Sequence, residues 1–459
     1  MQAGISKGSK GERWGDILGY VWPEMLTAFI TYALLNLVDA WLIADLKHTD
    51  SYVTLGVTNT LVHLIIKFAE SLSIGVVVIA GQYNGAHEYP QAGRSAQAAL
   101  WLTIAIAGIL SLILIVFAPV LYSLYGITGG QGIIGAQFLR IRALGLACLF
   151  VYFTLVGFLR SSKNTKVPMA LFVLGALVFI CFDYALVKGV WGFFPLGLMG
   201  SAIASLLQYG TMLLGIILYL LFSKRYKPYK LDFKPLFSWQ LSKELVWVSW
   251  PVMLDKMALA FAKMWIALQL APLGTVALAS FSAIKDLEQL AFVPAIATAQ
   301  VITFLVSNDY AQNNWLRIEA NLKRCVMLAT LMVGILLGVL FWNPKPFLGL
   351  FDKTGSFTAF AARALPTLSI LVIFDVLQLL LSAALRGAAD VRTVMVVRLL
   401  TVIGFVVPFS YCVAHSGLES VMLKFIGIYG SFYIGDALMS IAYIGRLRGS
   451  RWKRQLHVT

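Results

Sequence analysis

The run "LLNLVDAWLIA", residues 34–44, is apolar except for Asn36 and for Asp39 near its middle. An ionised carboxylate or ammonium at the centre of a membrane helix costs about 2.5–3.5 kcal/mol, so such a group turns to a protein interior or a water-filled cavity. His63, Lys67, Glu70, Asp183, Asp255, Lys263, Glu288 and Asp375 also stand within or beside apolar runs. Carboxylates gathered in a medium of low dielectric do not all ionise cheaply, and one of them can hold a proton and release it when its surroundings change. The chemistry on offer is ion exchange, and it depends on which helices bring these groups to one depth.

Depth follows from the helical rise of about 1.5 Å per residue. Asp39 is 39 − 23 = 16 residues beyond Pro23, and Asp183 is 183 − 168 = 15 beyond Pro168, placing them roughly 24 and 22 Å from the cytoplasmic ends of their spans. Lys67, on an oppositely directed span, is 81 − 67 = 14 residues from Gly81, roughly 21 Å. The three are expected in one layer, with Asp39 and Asp183 as a proton-carrying pair. Lys67 and Glu70, one turn apart on a shared face, are their tuning partners, and His63 extends the stripe. A fixed network in which Lys67 permanently neutralises one acid is the structural alternative. In the second half, Lys263 is 263 − 251 = 12 residues beyond Pro251 and Asp375 is 386 − 375 = 11 before Arg386, roughly 18 and 16 Å deep. These two are expected to approach each other, either for ion coupling or for assembly alone. Asp255, with Lys256, is expected at a solvated cytoplasmic interface, and Lys285, Asp286 and Glu288 as surface charge near the external face.

The elements that must hold these groups are membrane helices. The chain has 459 residues, 59% hydrophobic and 12% charged, with a mean hydropathy of +0.82, against about 25% charged in ordinary globular domains. Lipid is the implied folding medium. The start "MQAGISKGSKGERWGD" is polar and glycine-rich, and no removable signal peptide is read there. A net charge of +15 is taken to mark the side on which loops lie, and no nucleic-acid partner is expected. Cys148, Cys181, Cys325 and Cys412 have no C-x-x-C spacing and read as packing residues.

About twenty mostly apolar residues span a bilayer. That rule gives about twelve spans, near 20–44, 53–80, 96–118, 140–159, 168–188, 198–222, 245–270, 276–306, 322–342, 363–385, 394–413 and 422–445. An even count puts both termini on one side. With both in the cytoplasm, Lys and Arg divide roughly 24 inside to 8 outside. The basic stretch 223–244 is then a cytoplasmic linker between an N-terminal bundle, 1–222, and a C-terminal bundle with a basic tail, 245–459. The halves repeat: "YVWPEML" returns as "VSWPVML" at an offset of 251 − 23 = 228, and "LRSSKNTKVPM" answers "LRGAADVRTVM" at 385 − 159 = 226. Halves with an even number of spans share one topology, so these are parallel repeats about an axis along the membrane normal, with a substrate path between them. The fold class is all-α, two parallel six-helix bundles.

The order of "WPEML", "LNLVDAW", "SIGVVVIAGQYNGA", "LRSSKNTKVPM", "FDYALVKG", "PLGLMGSAIAS" and "FDVLQLLLSAALRGAADVRTVMVVR" resembles the multidrug and toxic compound extrusion family over nearly the whole chain. The resemblance implies a V-shaped antiporter that alternates between outward-open and inward-open states. Such a protein exports organic, often cationic, compounds against an inward flow of protons or sodium. It also implies coupling acids at Asp39 and Asp183 and a cation-binding acid at Asp375. Three accessory positions depart from the family pattern: Phe179 replaces an Asn, Leu371 replaces a Tyr, and apolar Leu259 or Ala260 stands where sodium-coupled members carry a Glu. With Lys263 already near the site, protons are expected in preference to sodium as the coupling ion, and no cofactor or metal is implied.

Rival classes fare worse on the residues. Histidines 48, 63, 87, 415 and 457 show no H-E-x-x-H pattern, and "GQYNGAHEYPQAG" lacks a phosphate-loop lysine, so neither an enzyme nor ATP drive is indicated. Nothing resembles a channel's selectivity loop. The nearer alternative is a flippase for a lipid-linked saccharide or precursor, which a cationic cavity open to lipid would favour. The expectation is a monomeric exporter of small organic compounds in a bacterial inner membrane, surrounded by membrane lipids.

Overall fold

The structure, a computed structural model, describes residues 11–34, 38, 49–127, 129–236, 238–349, 351–352 and 355–453. Helices dominate, and no strand occurs among the described residues. They are α1 (Trp14–Phe29), followed by a π turn over Ile30–Leu34, then α2 (Thr49–Gly85), α3 (Tyr89–Leu124), α4 (Gly129–Ser161), α5 (Lys166–Lys188) and α6 (Leu198–Phe222). A 3₁₀ segment, Lys224–Tyr229, leads to α7 (Trp239–Leu270), α8 (Thr275–Ala291), α9 (Val293–Ala311), α10 (Trp315–Trp342) and the short α11 (Pro344–Gly349). The chain ends with α12 (Thr358–Gly387), α13 (Val391–Thr401), a π turn over Val402–Val406, α14 (Val407–Ala414) and α15 (Val421–Arg448). Pro408 has no amide hydrogen to continue the ladder, and the π turn directly before it absorbs that break.

Among the described residues ten helices are long and apolar enough to cross a membrane, and α8 with α9, bent by 50° at their junction, makes an eleventh. The expected first span falls on α1 and on residues that include Asp39, which lies outside the described residues.

Two compact units divide the chain: Leu26–Ser249, and Met1–Met25 together with Trp250–Thr459. The divisions fall inside α1 and α7, beside the repeated Trp22-Pro23 and Trp250-Pro251 pairs, not at the connector 223–244.

In the unit of Leu26–Ser249, α4 packs against α2, α3 and α6, and α5 pairs with α6. Without water inside a bilayer, helices associate through close packing and small residues. Gly157 on α4 is such a residue, because an added Cβ would come within 2.6 Å of the Ser73 carbonyl oxygen on α2. The basic connector is docked on this unit by its tyrosines. The Tyr229 hydroxyl donates to Asn84 Oδ1 at 2.5 Å, and the Tyr226 hydroxyl meets Ser162 Oγ at 3.1 Å and accepts from Asn164 at 3.0 Å. Burial, and then the neighbouring Tyr226 and Tyr89, push the Tyr229 phenol up to about 12.

In the other unit α12 is central, packed on α15, α9 and α10. Gly387 lets α12 approach α9, where a Cβ would come within 2.6 Å of the Thr303 carbonyl. The Asn314 side chain caps α10 by accepting from the Arg317 amide, and Ser420 caps α15 in the same way. Both described ends of the chain dock at the α9–α10 corner. Glu12 pairs with Arg317 at 2.7 Å, while the Trp452 carbonyl accepts from Tyr310 at 3.0 Å and its ring packs edge-on against Trp315.

Candidate ion-exchange site

In the first unit, Asp183 is completely buried on α5. The helix that carries it packs on Ile30–Leu34, the π turn preceding Asp39. On α2, Lys67 Nζ lies 3.2 Å from each Glu70 oxygen, so the three-residue spacing does bring the pair together. Both side chains are partly accessible, Lys67 more so than Glu70. His63, one turn earlier, lies in the field of Lys67, Glu70 and Arg142. Arg142 belongs to α4, is buried, reaches Asn59 Oδ1 at 3.5 Å, and sits over the Phe138 ring. It extends the α2 stripe to a second helix, and the sequence reasoning passed over it. Its signal was the second of two arginines opening the otherwise apolar "RIRALGLACLF".

The second unit holds a larger network. Asp255 was expected at a solvated interface; it is 2% exposed. Its two oxygens accept from Arg386 Nη2 and Arg398 Nε, each at 2.5 Å. Two long side chains from α12 and α13 reach across to it, and a depth measured along α7 alone cannot reveal that reach. Arg398 continues to Gln378 Oε1 at 2.9 Å, and Gln378 donates to Asp375 Oδ1 at 3.2 Å. Asp375 therefore terminates a chain of hydrogen bonds that begins at Asp255.

Lys263 is exposed and places its ammonium 5.8 Å from the centre of the Phe432 ring. It has no ion pair within 4.0 Å among the described residues, although its charge interacts with that of Asp375. Glu288, expected as surface charge, is buried, with Tyr429 and Tyr433 donating to its Oε2 at 2.5 Å each. Lys285 and Asp286 are partly exposed and pair with each other at 3.4 Å. Asp436 on α15 is completely buried and was missed. It stands seven residues after Tyr429 and three after Tyr433, a helical face that the sequence carried in full.

The fold and this distribution of buried charge define a class: a polytopic helical membrane protein built from two repeated halves. The chain belongs to the MatE family, whose model matches residues 25–185 and 251–412. The two matched segments start 251 − 25 = 226 residues apart, the offset of the repeat itself. A probable multidrug resistance protein NorM from Synechocystis is 24% identical over 82% of this chain and 81% of its own length. The probable multidrug resistance protein YoeA of Bacillus subtilis is 20% identical over 94% of each chain. Among solved structures, a mutant of the Vibrio cholerae MATE transporter VcmN superposes with a TM-score of 0.88 at 17% identity, covering 96% of this chain and 98% of that one. The protein is thus a member of the multidrug efflux transporters of the multidrug and toxic compound extrusion family.

Proposed function

We propose that the protein exports small organic compounds, cationic ones foremost, by proton antiport with alternating access. The observation that carries this reading is Asp183, a carboxylic side chain completely buried in an apolar span. A permanently ionised group is expensive there, and a proton that comes and goes is the direct means of using such a position. Asp39 and Asp183 are the proton carriers. Lys67 and Glu70 tune them, and Lys263 with Asp375 forms a second network. Proton uptake at the first-half acids reshapes the first and fifth spans, and the bound compound leaves outward. Protons are favoured over sodium because Asp375 already lies in the field of the Lys263 ammonium and accepts from the Gln378 amide. Sodium would need several oxygen ligands, and Phe179, Leu371, Leu259 and Ala260 supply none from their side chains. The docking of Glu12 and Trp452 at one corner supports termini on one side of the membrane. The basic tail makes that side the cytoplasmic face of a bacterial inner membrane.

His63, Lys67 and Arg142 clustered on α2 and α4 favour one second reading, a flippase whose cargo carries an anionic headgroup. Proteoliposomes under an imposed pH or sodium gradient, offered cationic dyes and lipid-linked sugars, separate the two. Dye export driven by the pH gradient supports proton antiport, and movement of the lipid-linked sugar alone supports the flippase.

A further inference from the structure

Glu288 lies on α8 one turn before the 50° bend into α9. It is 7% exposed, and its carboxyl is used asymmetrically. Oε2 accepts from both tyrosine hydroxyls of α15, while Oε1 has no hydrogen bond among the described residues. The charges around it do not balance. Glu288 lies in the field of one carboxylate, Asp375, and one ammonium, Lys263, two carboxylates against one cation, an excess of 2 − 1 = 1 negative charge. An uncompensated buried ion is costly enough that the set must take up one more positive charge, and a proton is the smallest available.

The geometry tells where it goes. Asp255 is held between two guanidiniums, so that group of three carries a surplus of +1. Asp436, whose oxygens have no hydrogen bond among the described residues, lies in the field of Arg398, a member of that group. Asp375 has the Gln378 amide and the field of Lys263. Glu288 is bound by neutral hydroxyls only. The charged or titratable groups facing it are Lys263 from α7, Asp375 from α12, and Tyr429 and Tyr433 from α15. The Lys285–Asp286 pair on its own helix is partly exposed. Neither of the two charges acting on it comes from the neighbouring helices α9, α10 and α11.

We propose that Glu288 is an exchangeable proton site, separate from the first-half acids. In the protonated state Oε1 carries the hydrogen and Oε2 accepts two phenolic hydrogens, fastening α8 to α15. Release of the proton leaves a carboxylate repelled by Asp375 and drawn to Lys263, directly beside the bend.

The test is infrared difference spectroscopy of the purified full chain in nanodiscs, titrated from mildly acidic to mildly alkaline pH. The wild type should show a carboxylic-acid carbonyl band that disappears as pH rises. Glu288→Gln, which still accepts from both tyrosines, should lose one proton's share of that band. The double variant Tyr429→Phe/Tyr433→Phe should keep the band at a higher frequency, as expected for a more weakly bonded acid. An undiminished band in Glu288→Gln, or an unmoved band in the double variant, overturns the assignment. No transported compound is needed, and Asp183→Asn measured alongside should leave the Glu288 band unchanged. The outcome is therefore independent of whether the first-half acids drive transport.

Discussion

At the scale of single residues, the two halves use charge differently. Lys67 and Glu70 are partly accessible, and a pair of that kind contributes only about 0.2–1 kcal/mol to stability. Glu70→Gln should therefore leave the melting temperature in detergent nearly unchanged while displacing the pH profile of export, which a transport assay over a pH series reads directly. Asp255 is the opposite case. Removing it strands the buried Arg386 and Arg398 guanidiniums, a change that typically costs about 3–5 kcal/mol, so Asp255→Ala should unfold at a markedly lower temperature or fail to accumulate in the membrane. The Lys67–Glu70 contact was legible in the sequence because both residues share one helix, whose periodicity fixes their geometry. The Asp255–Arg398 contact was not, because it joins side chains 143 residues apart through a rotation of helices that hydropathy does not encode.

Helix ends and breaks form the next scale. Asp352 gathers the start of α12, accepting from the amides of Ser356, Phe357 and Thr358 and from the Thr358 hydroxyl at 2.8–3.0 Å. Desolvation pulls its carboxyl up, and these hydrogen bonds overcome that pull and hold it below its ordinary value of 3.8. A carboxyl depressed in the folded state stabilises it above the unfolded value, and this contribution is lost as pH falls through the folded value. Amide exchange at 356–358 should accordingly stay slow through neutral pH and quicken only in strong acid. In Asp352→Asn it should be faster at neutral pH and no longer depend on acid, and hydrogen-exchange mass spectrometry measures both. Eleven of the expected spans, in their order, were readable from apolar length, and the first runs onto residues outside the described ones. The break at Phe292 inside the expected eighth span was not, since a bend leaves hydropathy unchanged, and Pro294 was its single local sign. The connector 223–244 read as a linker from its charge, yet Tyr226 and Tyr229 dock it, because two aromatic residues in a basic stretch outweigh it in packing while adding little to average polarity.

At the scale of the whole molecule, duplication was the strongest message of the sequence, and the family match repeats at the same offset. The Trp-Pro pairs that revealed it also mark where the chain passes from one compact unit to the other. Asp183 is buried in one unit and Asp255, Glu288 and Asp436 in the other, which gives the proposed proton antiport two places to hold charge. The most direct test is dye export from proteoliposomes containing the wild type or Asp183→Asn, under a pH gradient alone and under a sodium gradient alone. The wild type should export under the pH gradient and not under sodium, and Asp183→Asn should insert and fold normally but lose pH-driven export. Full pH-driven export by Asp183→Asn, or wild-type export driven by sodium alone, would contradict proton coupling through Asp183.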